Sequence, residues 1–338
     1  MTSTTDLADQ GGRKPATIYD VATAAGVSHQ TVSRFLAGYE GIRPATRARV
    51  ELALTELGYR PNMSARSLKS GRSHRIGALT HETAQVGPSR IAEGAAAAAR
   101  DAGYVLDLIS VDLHSPHAID DALGQLTSHS LAGVLALVST DEMRDAVTAA
   151  RFDVPVVIER ESDDAHGISE SGIQALVAHL AALGHRRLLL ISGPPNWSSA
   201  RSRERAFREA VAAHGLDAEP TRYGDWSPGS GHAAITAAPL RSTAVVAAND
   251  QMALGAMLAL KRQGLAVPTD VSVVGVDDIP EAEYFDPPLT TVRNDFAATG
   301  RYAVEELIAR IEGTPAPAPP VRLADLVARE SSAPPRSA

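Results

Sequence analysis

No cysteine occurs in the 338 residues. That removes disulfides, thiol nucleophiles and cysteine-ligated zinc together, and it suits a reducing compartment. Aromatic residues make up only 4% of the chain against 44% hydrophobic residues, so the core has to be aliphatic. No run of about eighteen apolar residues is present, which argues against a membrane span. Residues 1–12 are polar and slightly acidic and lack the basic start and apolar stretch of an export signal. HExxH, GxSxG and Walker patterns are absent too, so no catalytic residue, metal or cofactor is expected. The length calls for two or three domains.

What is present is unevenly charged. Between Arg13 and Arg75 there are eleven Lys/Arg against four Asp/Glu, a net +7, while the remainder carries 21 against 36, a net −15. A basic module on an acidic body is the pattern of a chain whose one end meets a polyanion. Chance clustering of surface charge gives the same count, so the local motifs must decide.

Residues 1–14 read as a disordered tail, and 15–60 as a small helical domain. Thr17 caps a first helix, with Asp20 at capping-box spacing. Gly26 can take the positive φ of a tight turn, and Ser28 caps a second helix, His29 to Leu36. Two short helices joined by a three-residue turn containing glycine are a helix-turn-helix signature. Val32 and Leu36 face inward, whereas Gln30 and Arg34 share a different face beside His29. Gln can pair bidentately with adenine and Arg with guanine in the major groove. A third helix starts at Pro44, with Val50, Leu52, Ala53 and Leu57 as its apolar positions; Arg47 and Arg49 lie near phosphates or are solvated charges.

Residues 61–73 form a connector. Asn62 to Gly71 allows barely two turns of helix, marginal alone in water. On the residues alone it reads as a flexible linker. Residues 74–332 alternate apolar runs with helical stretches, strands near 76–80, 104–110, 133–138, 155–158, 187–192, 244–248 and 271–276 separating helices near 90–102, 116–127, 141–150, 175–183, 203–214 and 251–263. Two such series argue for two doubly wound parallel sheets covered on both faces. Residues 333–338 read as a tail.

Ligands of such sheets bind beyond the carboxyl ends of the strands, where Arg201, Arg203, Arg205, Trp226, Asn249-Asp250 and Asp277-Asp278 fall. Carboxylate, amide and guanidinium groups can take paired hydroxyls while an aromatic face covers the apolar side of a sugar ring. Taken singly, each has a plain structural use. Asp277 and Asp278 are neighbours at a strand end, so their side chains diverge, which is poor geometry for a glycosidase pair; one ligand contact and one cap fits better.

The segments Thr17-Ile-Tyr-Asp-Val-Ala22, Ala25-Gly-Val-Ser-His-Gln-Thr-Val-Ser-Arg34 and Gly58-Tyr-Arg-Pro-Asn62 resemble the head of the lac-repressor (LacI/GalR) family. Ala181-Ala-Leu-Gly-His185, Gly224-Asp-Trp-Ser227, Ala248-Asn-Asp-Gln-Met-Ala-Leu-Gly-Ala-Met257, Ser272-Val-Val-Gly-Val-Asp-Asp278 and Pro288-Leu-Thr-Thr291 extend it over residues 15–332, closest to the lac-type members in the second subdomain. The resemblance implies an α plus α/β chain: a helix-turn-helix head, a hinge helix and a periplasmic-binding-protein-like body of two subdomains. It implies that a palindromic operator is met by Thr17, Tyr19, Ser28, His29, Gln30, Thr31, Ser33 and Arg34, and by Asn62, Ala65 and Leu68 of the hinge, with Leu68 as a minor-groove wedge. An effector site is implied at His81, Pro88, Ile91, Arg160, Arg203, Trp226, Asn249, Asp277 and Phe296.

Three departures stand out: the loop His81 to Pro88, Glu159-Arg160 where lac-type members carry an Asp, and the absence of the helix through which such members form tetramers. The expectation is therefore a cytoplasmic, nucleoid-associated homodimeric repressor, released from its operator by a small sugar or glycoside of galactoside type. A corepressor-bound or non-sugar-responsive regulator is the alternative within that class. A transport protein on the same body would need an export signal and no helix-turn-helix.

Overall fold

The computed structural model describes residues 16–36, 38–59, 73–83, 85–112, 115, 117–159, 168–319 and 325–336. The expectations for the tail 1–14 and for Asn62, Ala65, Leu68 and Arg160 lie outside them. The chain separates into two compact units between Ser73 and His74, and each is taken by itself.

The first unit holds α1 (Ile18–Ala25), α2 (His29–Leu36) and α3 (Pro44–Glu56). A capping box opens α1: the Asp20 amide donates to Thr17 Oγ1 at 3.3 Å, and the Thr17 amide donates to Asp20 Oδ2 at 2.7 Å. The Thr17 bonds hold the Asp20 carboxyl below its ordinary pKa. Gly26 ends α1 at φ 61° and its N–H reaches back to the Ala22 and Thr23 carbonyls. Ser28 Oγ accepts from the Thr31 amide at 3.2 Å at the start of α2. Val21, Ala22, Ala25, Val32, Val50 and Ala53 form the core, with Leu36 and Leu54 packed at its edge. Leu52 and Leu57, expected as core positions of α3, are instead 59% and 39% exposed. The inward stripe of α3 runs through Val50, Ala53 and Leu54, and three short helices have no further face to offer.

Among the described residues the second unit contains two parallel sheets and one antiparallel pair of strands. Four parallel strands, β1 (Arg75–His81), β2 (Val105–Val111), β3 (Gly133–Leu137) and β4 (Val156–Glu159), lie in the order β2-β1-β3-β4. They alternate with α4 (Val86–Asp101), α5 (Ala118–Ser128) and α6 (Asp141–Ala149). The second sheet follows α7 (Ile168–Ala182). Its strands β5 (Arg187–Ser192), β6 (Asp217–Ala218), β7 (Arg222–Tyr223), β8 (Ala244–Ala247) and β9 (Ser272–Val274) take the order β6-β5-β8-β9, with β7 also beside β5. Between them come α8 (Ser198–Ala213), α9 (Pro228–Thr236) and α10 (Asp250–Arg262). Strands β3 and β8 are buried along their whole length, as a parallel sheet covered on both faces requires.

Two further strands, β10 (Thr291–Arg293) and β11 (Asp325–Val327), pair antiparallel, and between them α11 (Phe296–Glu312) returns to the first sheet. There Ala303, Val304 and Leu307 join Ile76, Ala95 and Leu135 in one core. The chain thus passes between the subdomains more than once. Helices α4 and α11 touch backbone to backbone: a Cβ on Gly94 would overlap the Ala297 carbonyl, and one on Gly300 the Ile91 carbonyl. Neither α9 nor α11 is apparent from the sequence pattern. Ala333, which reads as tail, is held in the fold: its amide donates to Ser272 Oγ at 3.1 Å, and its carbonyl lies 3.0 Å from His185 Nε2.

Candidate functional site

The carboxyl ends of both sheets face one cleft. His81 ends β1, Ser192 ends β5, Asn249 follows β8 and Asp277 follows β9. From the first subdomain the buried His81 ring meets Trp197 edge-on, with centroids 4.9 Å apart. The Trp197 ring lies 5.5 Å from that of Trp226. The Arg203 guanidinium sits 5.5 Å from the Trp226 centroid and 3.7 Å from Asp277 Oδ1. Three aromatic rings and one ion pair therefore form a continuous chain across the cleft.

The pair is almost fully desolvated, with Arg203 and Asp277 side chains 5% and 8% exposed. Buried charge of this kind persists only when it is paired and hydrogen-bonded. Both conditions are met: Arg203 also donates to the Ala248 carbonyl, and Asn294 Nδ2 donates to Asp277 Oδ1 at 3.1 Å. Asp278 turns the other way, accepting from Arg293 at 2.8 Å and Arg329 at 2.7 Å. The two neighbouring carboxylates diverge, as the strand-end position demands.

Backbone strain collects here. Trp226 and Asp277, neither of them glycine, adopt φ of 71° and 114°, conformations that cost about 1–3 kcal/mol and persist where the surroundings over-determine them. The Trp226 ring lies against Gly193, where a Cβ would overlap it. Asn249 sets the Trp226 backbone: its Nδ2 donates to the Trp226 carbonyl at 3.0 Å while its Oδ1 accepts from the Met252 amide at 2.8 Å. Asn249 was expected to offer its amide to a ligand hydroxyl, and these two bonds leave it one N–H and one lone pair for that.

Several buried polar atoms of the cleft have no hydrogen-bond partner: His81 Nδ1 and Nε2, Trp226 Nε1 and Asn294 Oδ1. Such atoms are rare in native structures and each calls for a physical reason. Burial pushes the His81 imidazole down to about 4, so at neutral pH it is uncharged and can both donate and accept.

Other expected site residues stand further off. Pro88 lies half-buried in the first turn of α4, and Ile91 packs on the core of the first subdomain. Phe296 opens α11, its ring 3.5 Å from where a Cβ on Gly87 would be. Sequence reasoning missed Trp197, Asn294 and the contact between subdomains, where the Ser198 amide donates to the Ser139 carbonyl at 3.0 Å and Arg201 pairs with Asp141 at 2.9 Å. Burial works against the Asp141 charge, but the hydrogen bonds from Arg201 and Arg144 outweigh it and hold the carboxyl below its ordinary value. Trp197 carried a signal, being one of only two tryptophans and following a strand end. Among the described residues no group of three His, Asp or Glu could hold a metal ion, and no helix is long and apolar enough to cross a membrane.

In the head, Tyr19, Ser28, His29, Gln30 and Arg34 are exposed, while Thr31 and Ser33 are half-buried. The rings of Tyr19 and His29 lie 5.1 Å apart, so α1 and α2 present one polar surface. Thr17 is exposed beside it, its hydroxyl engaged by Asp20.

Residues 17–62 match the bacterial regulatory proteins of the lacI family, and residues 177–332 the periplasmic binding protein-like domain. The chain is 36% identical over 309 residues to the lactose operon repressor of Escherichia coli (strain K12), covering 89% of this chain and 86% of that protein. It is 34% identical over 311 residues to the ribose operon repressor of the same organism, covering 88% and 93%. Among solved structures, the lac repressor dimer bound to operator and the anti-inducer ONPF superposes with a TM-score of 0.84 at 34% identity, over 95% of this chain and 100% of that one. A complex of the regulator CelR with cellobiose does so at 0.64 and 31%, over 94% and 100%.

Proposed function

The chain belongs to the LacI family of bacterial regulatory proteins, and on that premise we propose that it is a homodimeric repressor that leaves its operator when a small sugar or glycoside, of galactoside type, enters the cleft. It is not an enzyme: its relatives are operon repressors. It works in the cytoplasm, on the nucleoid. The head reads the operator through Tyr19, His29, Gln30 and Arg34, with Arg34 the strongest base contact, while Thr17, Ser28, Thr31 and Ser33 align the helices on the phosphates.

One observation carries the effector reading. The desolvated Arg203–Asp277 pair lies beside Trp226 in the same cleft as the His81 ring nitrogens, Trp226 Nε1 and Asn294 Oδ1, none of which makes a hydrogen bond. A sugar supplies what these groups lack. Its hydroxyls donate and accept for a neutral imidazole, an indole N–H and an amide oxygen, and its apolar ring face stacks on Trp226. Phe296, Pro88 and Ile91 border the first-subdomain side, and Arg160 follows β4.

Titrating the protein calorimetrically with a panel of mono- and disaccharides, with and without operator, tests this. Binding of a galactoside that weakens with operator present is expected. A sugar that binds tighter on operator makes the ligand a corepressor, and a panel without binding removes the sugar.

A further inference from the structure

We propose that Tyr39, to which no role has yet been given, is a positioning residue that holds the operator-reading Arg34 in place and so sharpens its base preference. The proposal rests on Arg34 reading a base edge. Arg34 lies in the last turn of α2, where the chain turns back on itself. The Gly38 amide donates to the Phe35 carbonyl at 3.0 Å, and the Tyr39 amide donates to the carbonyl of Arg34 itself at 3.0 Å. This turn brings the Tyr39 ring to 5.8 Å from the Arg34 guanidinium carbon, within the range of a cation–π contact.

The ring is not there to fill the core. It is 55% exposed and absent from the cluster of Val21, Val32, Val50 and their neighbours. What keeps it near Arg34 is a gap at Gly41. A Cβ there would overlap the Tyr39 ring, 2.7 Å from Cζ and 2.8 Å from the hydroxyl. Gly41 is not among the residues of positive φ, so the backbone does not demand glycine; the ring does. Arg34, Tyr39, Gly41, Ser28, Thr31 and Arg43 line one groove of about 350 Å³ on the head.

The physical consequence is preorganisation. A free arginine carries rotamer entropy, part of which is lost when it makes a bidentate base contact. A ring beside the guanidinium removes some of that freedom beforehand. It also leaves the planar donor edge open, because the contact uses the π face of the cation and not its N–H groups. The expected gain is modest, since exposed cation–π contacts correspond to about two- to fivefold in affinity.

The test uses the full chain and an operator selected from a randomised duplex pool, with fluorescence anisotropy on all four bases at the pair whose preference Arg34→Ala flattens, and on random DNA. Tyr39→Ala is expected to lower operator affinity about two- to fivefold, to weaken preference at that same pair, and to leave random-DNA affinity unchanged. Tyr39→Phe, which keeps the ring, should behave as wild type. Gly41→Ala should reproduce Tyr39→Ala with an unaltered melting temperature, because only the ring has to move. If Arg34→Ala flattens one position while Tyr39→Ala leaves it sharp, the positioning role is wrong. Equal losses on operator and random DNA would make Tyr39 a phosphate contact and overturn it too. If Arg34→Ala changes no preference, the base reading fails and takes the proposal with it.

Discussion

At the scale of single residues, His81 shows how the cleft is tuned. Its ring is fully buried between a strand end and Trp197, without a hydrogen-bond partner. Burial lowers its pKa from 6.5 to about 4. As pH falls through 6.5 the unfolded chain takes up a proton that the folded chain refuses until about pH 4. The His81 contribution to stability is therefore complete above 6.5 and is lost between there and about 4, by about 3 kcal/mol for this shift. Asp250 works in the opposite sense. Burial and the nearby Asp277 charge raise its carboxyl, against hydrogen bonds from Thr291 and the Ile279 amide, so its contribution falls as pH rises. His81→Phe separates the two: urea denaturation from pH 4 to 8 should show wild type losing stability relative to the variant as pH drops below 6.5. A constant difference across that range would mean the ring is wetted.

Elements were legible in the sequence wherever one rule decided them. The capping box at Thr17-Asp20, Gly26 at φ 61° and the strands near 76–80 and 187–192 follow from capping, turn chemistry and apolar runs. Helix α11 escaped because its apolar residues serve a sheet built from strands more than 130 positions earlier, a relation no local window holds. Trp226, Arg203 and Asp277 could be placed at strand ends, whereas the engagement of Asn249 with the Trp226 carbonyl is a tertiary fact. The α4–α11 crossing leaves no room for a single methyl group. At Gly94 the obstructing atoms belong to the Ala297 backbone and cannot rotate away, so Gly94→Ala should destabilise the body by about 1–3 kcal/mol. The denaturation midpoint checks this. An unchanged midpoint would show that the two helices slide apart freely.

For the whole molecule, one recognition helix reads only a few base pairs, and useful specificity needs twofold repetition on an approximate palindrome. Light scattering at micromolar concentration should return twice the 35.4 kDa chain mass; the monomer mass would leave each head with too little sequence to read. Cleft and head are coupled if the sugar prefers a closure of the two subdomains that the operator-bound dimer does not. The Arg201–Asp141 pair and the Ser198–Ser139 bond join the subdomains in the closure seen here.

Coupling between two sites is reciprocal: whatever factor sugar removes from operator affinity, operator must remove from sugar affinity. The decisive measurement is operator affinity across a titration of the bound sugar, for wild type and for Asp277→Asn, which keeps the side-chain shape and removes the charge beside Arg203. Wild type should lose affinity by about 1–3 kcal/mol of coupling, with an equal loss of sugar affinity on adding operator, while Asp277→Asn binds operator normally and ignores the sugar. An Asp277→Asn protein that releases operator as wild type does would contradict a cleft centred on the Arg203–Asp277 pair.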